Sequence, residues 1–150
     1  MTGPFKELIY ASDSIGSAFF PKIVGTYEME LHALIDQLGQ RNFKECVIIG
    51  AGEGYYTAGL SKKWDIPIAA YESDSKGQAL MKSMISLNDL SDVTVLGNCE
   101  IRDLELDDKR RFVLMDIEGD EVQLLLSNVI KQAENTTWLI EVHSRGIKKK

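Results

Sequence analysis

Three groups of residues in this chain have the types and spacing to do chemistry. Gly50, Gly52 and Gly54 alternate with Ala51 and Glu53 directly after the apolar run Cys46–Ile49. Glu72 follows Gly54 by 18 residues, at the end of the next apolar run. Glycines there permit a tight turn, close approach by a ligand and close helix packing, and a carboxylate at that distance accepts hydrogen bonds from ribose hydroxyls. The second group is Asp116 and Glu118, with Gly119 turning the chain just beyond. The third is Glu141 and His143, two apart at the end of an extended run and therefore on one side of it. An acid beside an imidazole holds a proton acceptor near neutral pH. Such a pair also has the donors for a metal, with Asp116 as third ligand. Proton or substrate contact is the reading preferred, with no metal assigned.

The elements that must position these groups follow from periodicity. Short apolar strands are expected at Cys46–Ile49, Pro67–Tyr71, Val93–Leu96, Phe112–Met115 and Thr137–Val142. Helices are expected over about 27–40, with Thr26 as N-cap, and over Tyr55–Lys63, Lys76–Asn88 and Asp120–Ile130. Asn98–Arg110 reads as a polar connection, and residues 1–20 as an irregular segment ahead of one domain over 21–150. Asp120 and Glu121 are expected to match the charge of a helix N-terminus. Strands alternating with helices predict an α/β fold, a Rossmann-like doubly wound parallel sheet of order 3-2-1-4-5. The crevice then lies at the carboxyl ends of the strands, where all three groups fall.

The charge pattern selects among nucleoside cofactors. A dinucleotide brings a pyrophosphate, which Glu53 inside the glycine turn opposes. S-adenosylmethionine brings a sulfonium and an ammonium, which acids tolerate. Glu53, Asp116 and Glu118 all lie on loops at that edge, so S-adenosylmethionine is the expected cofactor. A net charge of -6 and a pI of about 4.9 disfavour nonspecific binding to nucleic acid or to an anionic membrane. Cys46 and Cys99 lack metal spacing, and the N-terminus lacks a signal-peptide pattern, so a cytoplasmic setting is expected.

The segments VIIGAGEGYYTAGL (47–60), AAYESD (69–74), VLMDIEGDEVQLL (113–125) and LIEVHS (139–144) resemble class I S-adenosylmethionine-dependent methyltransferases, closest to their FkbM-like branch. The resemblance spans about residues 21–143. It implies that Gly50, Gly52 and Gly54 wrap the methionine part of the cofactor, with Glu53 and Tyr55 beside them. It implies ribose binding by Glu72, adenine flanked by Asn98 and Cys99, and Asp116 facing the cofactor's amino acid or the substrate. Thr26, Tyr27 and Glu28 in PKIVGTYE (21–28) are implied to close over the methionine end. Asp116, Glu118, Glu141 and His143 are the expected catalytic set, acting on a small or carbohydrate-like hydroxyl. A cofactor-binding protein or fragment with little catalysis is the alternative.

The class ends in an antiparallel hairpin, which is expected to be absent after the fifth strand here. An open edge is therefore expected, covered by the first 20 residues or by a second copy of the chain, or else the polypeptide is a fragment.

Overall fold

The computed structural model describes residues 3–11, 19–104, 109–117, 121, 124 and 135–143. Five strands, β1 (Glu45–Ile49), β2 (Ile68–Tyr71), β3 (Val93–Leu96), β4 (Arg111–Met115) and β5 (Thr136–Ile140), form one parallel sheet of order β3-β2-β1-β4-β5. The order matches the expectation. The central strands are buried on both faces, which is why they read as unbroken apolar runs.

Alternation along β1 and β4 divides the core. Cys46, Ile48, Phe112 and Leu114 face one layer, with Ile35, Leu60, Met81 and Met84 from the helices α2 (Met29–Leu38), α3 (Tyr55–Trp64) and α4 (Ser75–Leu87). Val47, Ile49, Val113 and Met115 face the other, with Leu104 from a 3-10 turn at Ile101–Leu104 and Leu124. Glu121 and Leu124 are helical; the rest of the helix expected over Asp120–Ile130 lies outside the described residues, as does Glu118.

The N-terminal region departs from the expectation in two ways. A short helix α1 (Phe19–Val24) precedes α2, and Thr26 caps neither: Glu28, in left-handed backbone at φ 46°, is the residue before α2. The chain reverses too tightly there for Thr26 to reach the helix, because the Thr26 and Tyr27 amides both bond back to the Pro21 carbonyl. Residues 3–11 are irregular, yet they belong to the core. Phe5 packs over Gly59, and Asn88 exchanges hydrogen bonds with the Ile9 amide (2.8 Å) and carbonyl (2.7 Å). This segment therefore covers α3 and α4 and not the β5 edge. Among the described residues, no helix is long and apolar enough to cross a membrane.

Candidate active site

The glycine turn is held by its neighbours on both sides. Gly50 and Ala51 donate to the Tyr71 carbonyl of β2 at 3.0 and 2.9 Å, and Asp116 donates to the Ile49 carbonyl at 2.9 Å. Gly50, Gly52 and Gly54 all have positive φ (81°, 55° and 89°), backbone that glycine adopts without a Cβ clash. Around Gly52 there is open space, as a ligand-approach position requires. Gly54 instead lies against Met81 of α4, so its close packing is helix to helix and not helix to sheet.

Glu72 bridges two structures. Its carboxylate accepts from the Gly52 amide (2.6 Å) and from the Asp74 amide (2.8 Å), which ties the glycine turn to the start of α4. Asp74 caps that helix through the Gly77 amide (3.1 Å), as its position suggests. A carboxylate has about four lone-pair sites, so two amide donors leave capacity for a hydroxyl.

A cavity of about 530 Å³ opens at this end of the sheet. Gly50, Glu72, Asn98 and Cys99 line it, together with Glu100 and Ile117. Burial and the nearby Asp103 carboxylate push the Cys99 thiol up to about 12, so it is an uncharged wall at neutral pH. Gly52, Glu53, Gly54 and Tyr55 do not line this cavity. Tyr55 is buried, edge-on to Phe5 and Tyr27. Thr26 is exposed, whereas Tyr27 and Glu28 turn inward, and Glu28 accepts a hydrogen bond from the Tyr56 hydroxyl.

Glu53 is buried beneath the turn, ion-paired to the equally buried Lys22 of α1 and accepting from the Tyr10 hydroxyl (2.6 Å). The Lys22 ammonium also lies over the Tyr27 ring, 4.7 Å from its centre. Burial pushes the Glu53 carboxyl upward, but the Lys22 and Tyr10 hydrogen bonds and the Lys22 charge outweigh it and hold it below the usual value. Glu53 therefore stays ionised, but Lys22 answers its charge within the protein. Lys22 and Tyr10 were not foreseen, since nothing local in the sequence marks a pair 31 residues apart.

Asp116, Glu141 and His143 come together at the ends of β4 and β5. His143 Nε2 lies 3.7 Å from Asp116 and 3.6 Å from Glu141. His143 Nδ1 lies 2.8 Å from Glu121, whose side chain is 1% exposed. Glu121 is thus more than the helix-end charge expected of it. Its sequence signal is its place three residues before Leu124, on a buried helical face. The Glu28, Asp116 and Glu141 charges also reach Tyr27, whose hydroxyl is pushed far above its usual range by burial first and by these acids next.

A second cavity of about 250 Å³, lined by Glu28, Leu31, Asp116, Leu139 and Glu141 among others, adjoins this cluster. Ile117 lines the first cavity and Asp116 the second, so both cavities reach the chain where it leaves β4.

Comparison with solved structures places this architecture. M. jannaschii TYW2 in complex with AdoMet is similar over 62% of this chain and 43% of its own, at 24% identity and a TM-score of 0.50. The SAH-bound Podospora anserina methyltransferase PaMTH1 matches 75% of this chain and 52% of its own, at 15% identity and a TM-score of 0.62. The fold is of the class I methyltransferase type. The chain thus spans about half the length of these two relatives. Precorrin 8w decarboxylase from Methanobacterium thermoautotrophicum is similar over 93% of this chain and 71% of its own, at 17% identity and a TM-score of 0.63. A class I methyltransferase fold therefore does not by itself fix the reaction. No protein-family model and no curated protein sequence matches the chain.

Proposed function

We propose that this protein is an S-adenosylmethionine-dependent methyltransferase of the FkbM-like branch, transferring the methyl group to an oxygen of a small or carbohydrate-like acceptor. The observation that carries the reading is the 530 Å³ cavity running from the glycine turn past Glu72 to Asn98 and Cys99. Its donor set suits a nucleoside without phosphate. Glu72 and Glu100 line it, and Arg102, the one arginine among its described lining residues, is paired with Glu100 at 3.1 Å. A diphosphate would meet carboxylates in place of free cations.

In this reading Glu72 accepts from ribose, Asn98 and Cys99 flank the adenine, and the glycine turn, which lines the cavity at Gly50, receives the methionine portion. The cofactor supplies a methyl group on positive sulfur, already activated for displacement. The protein's task is alignment and proton removal. The second cavity holds the acceptor, and the cluster of Asp116, Glu141 and His143 at its edge takes up the proton that the acceptor oxygen loses. Glu121 holds the imidazole ring in place.

Calorimetric titration tests the cofactor. S-adenosylhomocysteine is expected to bind saturably and NAD not at all. Replacing Glu72 by glutamine should weaken S-adenosylhomocysteine by roughly tenfold or more, the worth of a charged hydrogen bond. Glutamine keeps an oxygen for one of the two amides, so the turn survives the test. Wild-type affinity in that variant would remove Glu72 from the ribose role.

The acceptor end has its own expected result. His143→Ala should lower methyl turnover by about 100-fold or more, the scale of lost general-base catalysis, with S-adenosylhomocysteine affinity within about twofold of wild type. Turnover is read in a methyl-release screen over sugar, phenol and amine acceptors. Equal turnover in the variant would take the cluster out of the reaction.

A further inference from the structure

We infer that Asp116, Glu141 and His143 form a binding site for a divalent transition-metal ion of the zinc class, with Glu121 as the positioning residue for the histidine. The donor atoms of the three residues all lie within 4.8 Å of one another. The separations from His143 Nε2 are 3.7 Å to Asp116 and 3.6 Å to Glu141. Ligands about 2.1 Å from a tetrahedral ion stand roughly 3.4 Å apart, so the two pairs with His143 Nε2 need a shift of a few tenths of an ångström, and the Asp116–Glu141 pair, within 4.8 Å, closes by about 1.4 Å at most.

Two further features turn this from a group of acids into a built site. First, Glu121 is buried and grips Nδ1 at 2.8 Å, which turns Nε2 toward the two carboxylates. A ligating histidine characteristically gives its other ring nitrogen to such a carboxylate, which sets both its tautomer and its orientation. Second, the negative charge converges. Three carboxylates surround one imidazole, and Glu28 stands across the adjoining cavity. The mixed nitrogen and oxygen set favours zinc, manganese or iron over magnesium or calcium, which prefer oxygen alone.

Three protein ligands leave a fourth position open. Asp116 and Glu141 both line the 250 Å³ cavity, so that position faces the space where the proposed acceptor sits. The ligand taken there is an oxygen donor, a hydroxyl or a carboxylate of the acceptor. The ion's role in catalysis rests on the proposed methyl transfer, where with the ion bound His143 is a ligand and the ion, in place of base catalysis by the cluster, would weaken the acceptor oxygen's hold on its proton; its binding does not rest on that reading.

The experiment is titration of the chelator-treated full chain with Zn2+ by calorimetry, and with Co2+ by visible absorption. One ion per chain is expected, with the intense bands of four-coordinate Co2+. Glu141→Gln, a change at a side chain 54% exposed and so safe for folding, should weaken Zn2+ by about 100-fold. Glu121→Gln should weaken it by about 10–100-fold with the stoichiometry unchanged. A thermal melt of each variant verifies its fold. Absence of binding by the wild-type chain, or equal binding by Glu141→Gln, overturns the inference. Titration with S-adenosylhomocysteine on the same preparations separates the two ideas. Retained S-adenosylhomocysteine binding without Zn2+ removes the ion alone, and retained Zn2+ binding without S-adenosylhomocysteine removes the methyl-transfer reading alone.

Discussion

Gly50→Ala should lower the thermal midpoint by about 10 °C or more and abolish S-adenosylhomocysteine binding, on the scale of 2–4 °C per kcal/mol for a chain of this size. Two costs add. A Cβ at Gly50 would stand 1.7 Å from the Asp116 carbonyl oxygen, and that neighbour is backbone of β4's exit, not a flexible side chain. The backbone at φ 81° adds strain of its own for any residue with a Cβ. Overpacking and unfavourable backbone each cost about 1–3 kcal/mol, so about 3–5 kcal/mol is expected in sum. Relief requires β1 and β4 to part at their carboxyl ends, which line both cavities. Melts followed by circular dichroism check this. A midpoint within about 2 °C of wild type would mean that the strand ends are loosely held and that the geometry of the crevice is not fixed by this contact.

That contact also explains why so much of the crevice was legible in the sequence. In a parallel sheet the residues that leave adjacent strands are neighbours, whatever lies between them in the chain. Once Cys46–Ile49, Pro67–Tyr71 and Phe112–Met115 read as buried strands, Gly50, Glu72 and Asp116 had to share one edge. Glu72 reaches the glycine turn for that reason. Glu141 and His143 meet Asp116 in the same way, because β5 runs beside β4. The order of the strands followed from the alternation of elements and the handedness of their crossovers.

What escaped was set by contacts that have no period. Lys22 carried no signal, since a single buried lysine in a short helix has no pattern to betray it. Its partner Glu53 was read as an acid offered to a ligand, when it is an acid answered by the protein. The aromatic layer of Phe5, Tyr10, Tyr27 and Tyr55, which makes that corner dry, draws on three separate segments. Glu121 was read through helix-end electrostatics, a local rule, while it pairs with His143, 22 residues away beyond the end of β5. The Thr26 cap failed for a local reason, the tight reversal onto Pro21. Local rules name the elements; they do not name side-chain pairs across layers.

The buried pair yields the second large effect. Lys22→Met should destabilise the chain by about 3–5 kcal/mol, the cost of leaving one buried charge without its partner. Both side chains are nearly sealed, at 5% and 6% exposure, so water cannot take the ammonium's place cheaply. The pH dependence distinguishes this from simple loss of packing. In the wild type the folded Glu53 carboxyl lies below its ordinary value of 4.5. The unfolded chain therefore binds the proton first, and Glu53's contribution is full above pH 4.5, fading as pH falls through the folded value. Without Lys22, burial is the largest influence and it acts in the opposite sense, with the Tyr10 hydroxyl and a backbone hydrogen bond opposing it. The folded carboxyl then rises above the unfolded one, and the folded state binds the proton first. Acidification from pH 7 to pH 5 should therefore stabilise Lys22→Met relative to the wild type. Adding Glu53→Gln to Lys22→Met should recover most of the loss at pH 7 and flatten the pH response. Denaturant melts at the two pH values measure both. Parallel stability profiles for wild type and Lys22→Met would show that Glu53 does not depend on Lys22 for its charge, and that the corner beneath the glycine turn is wet.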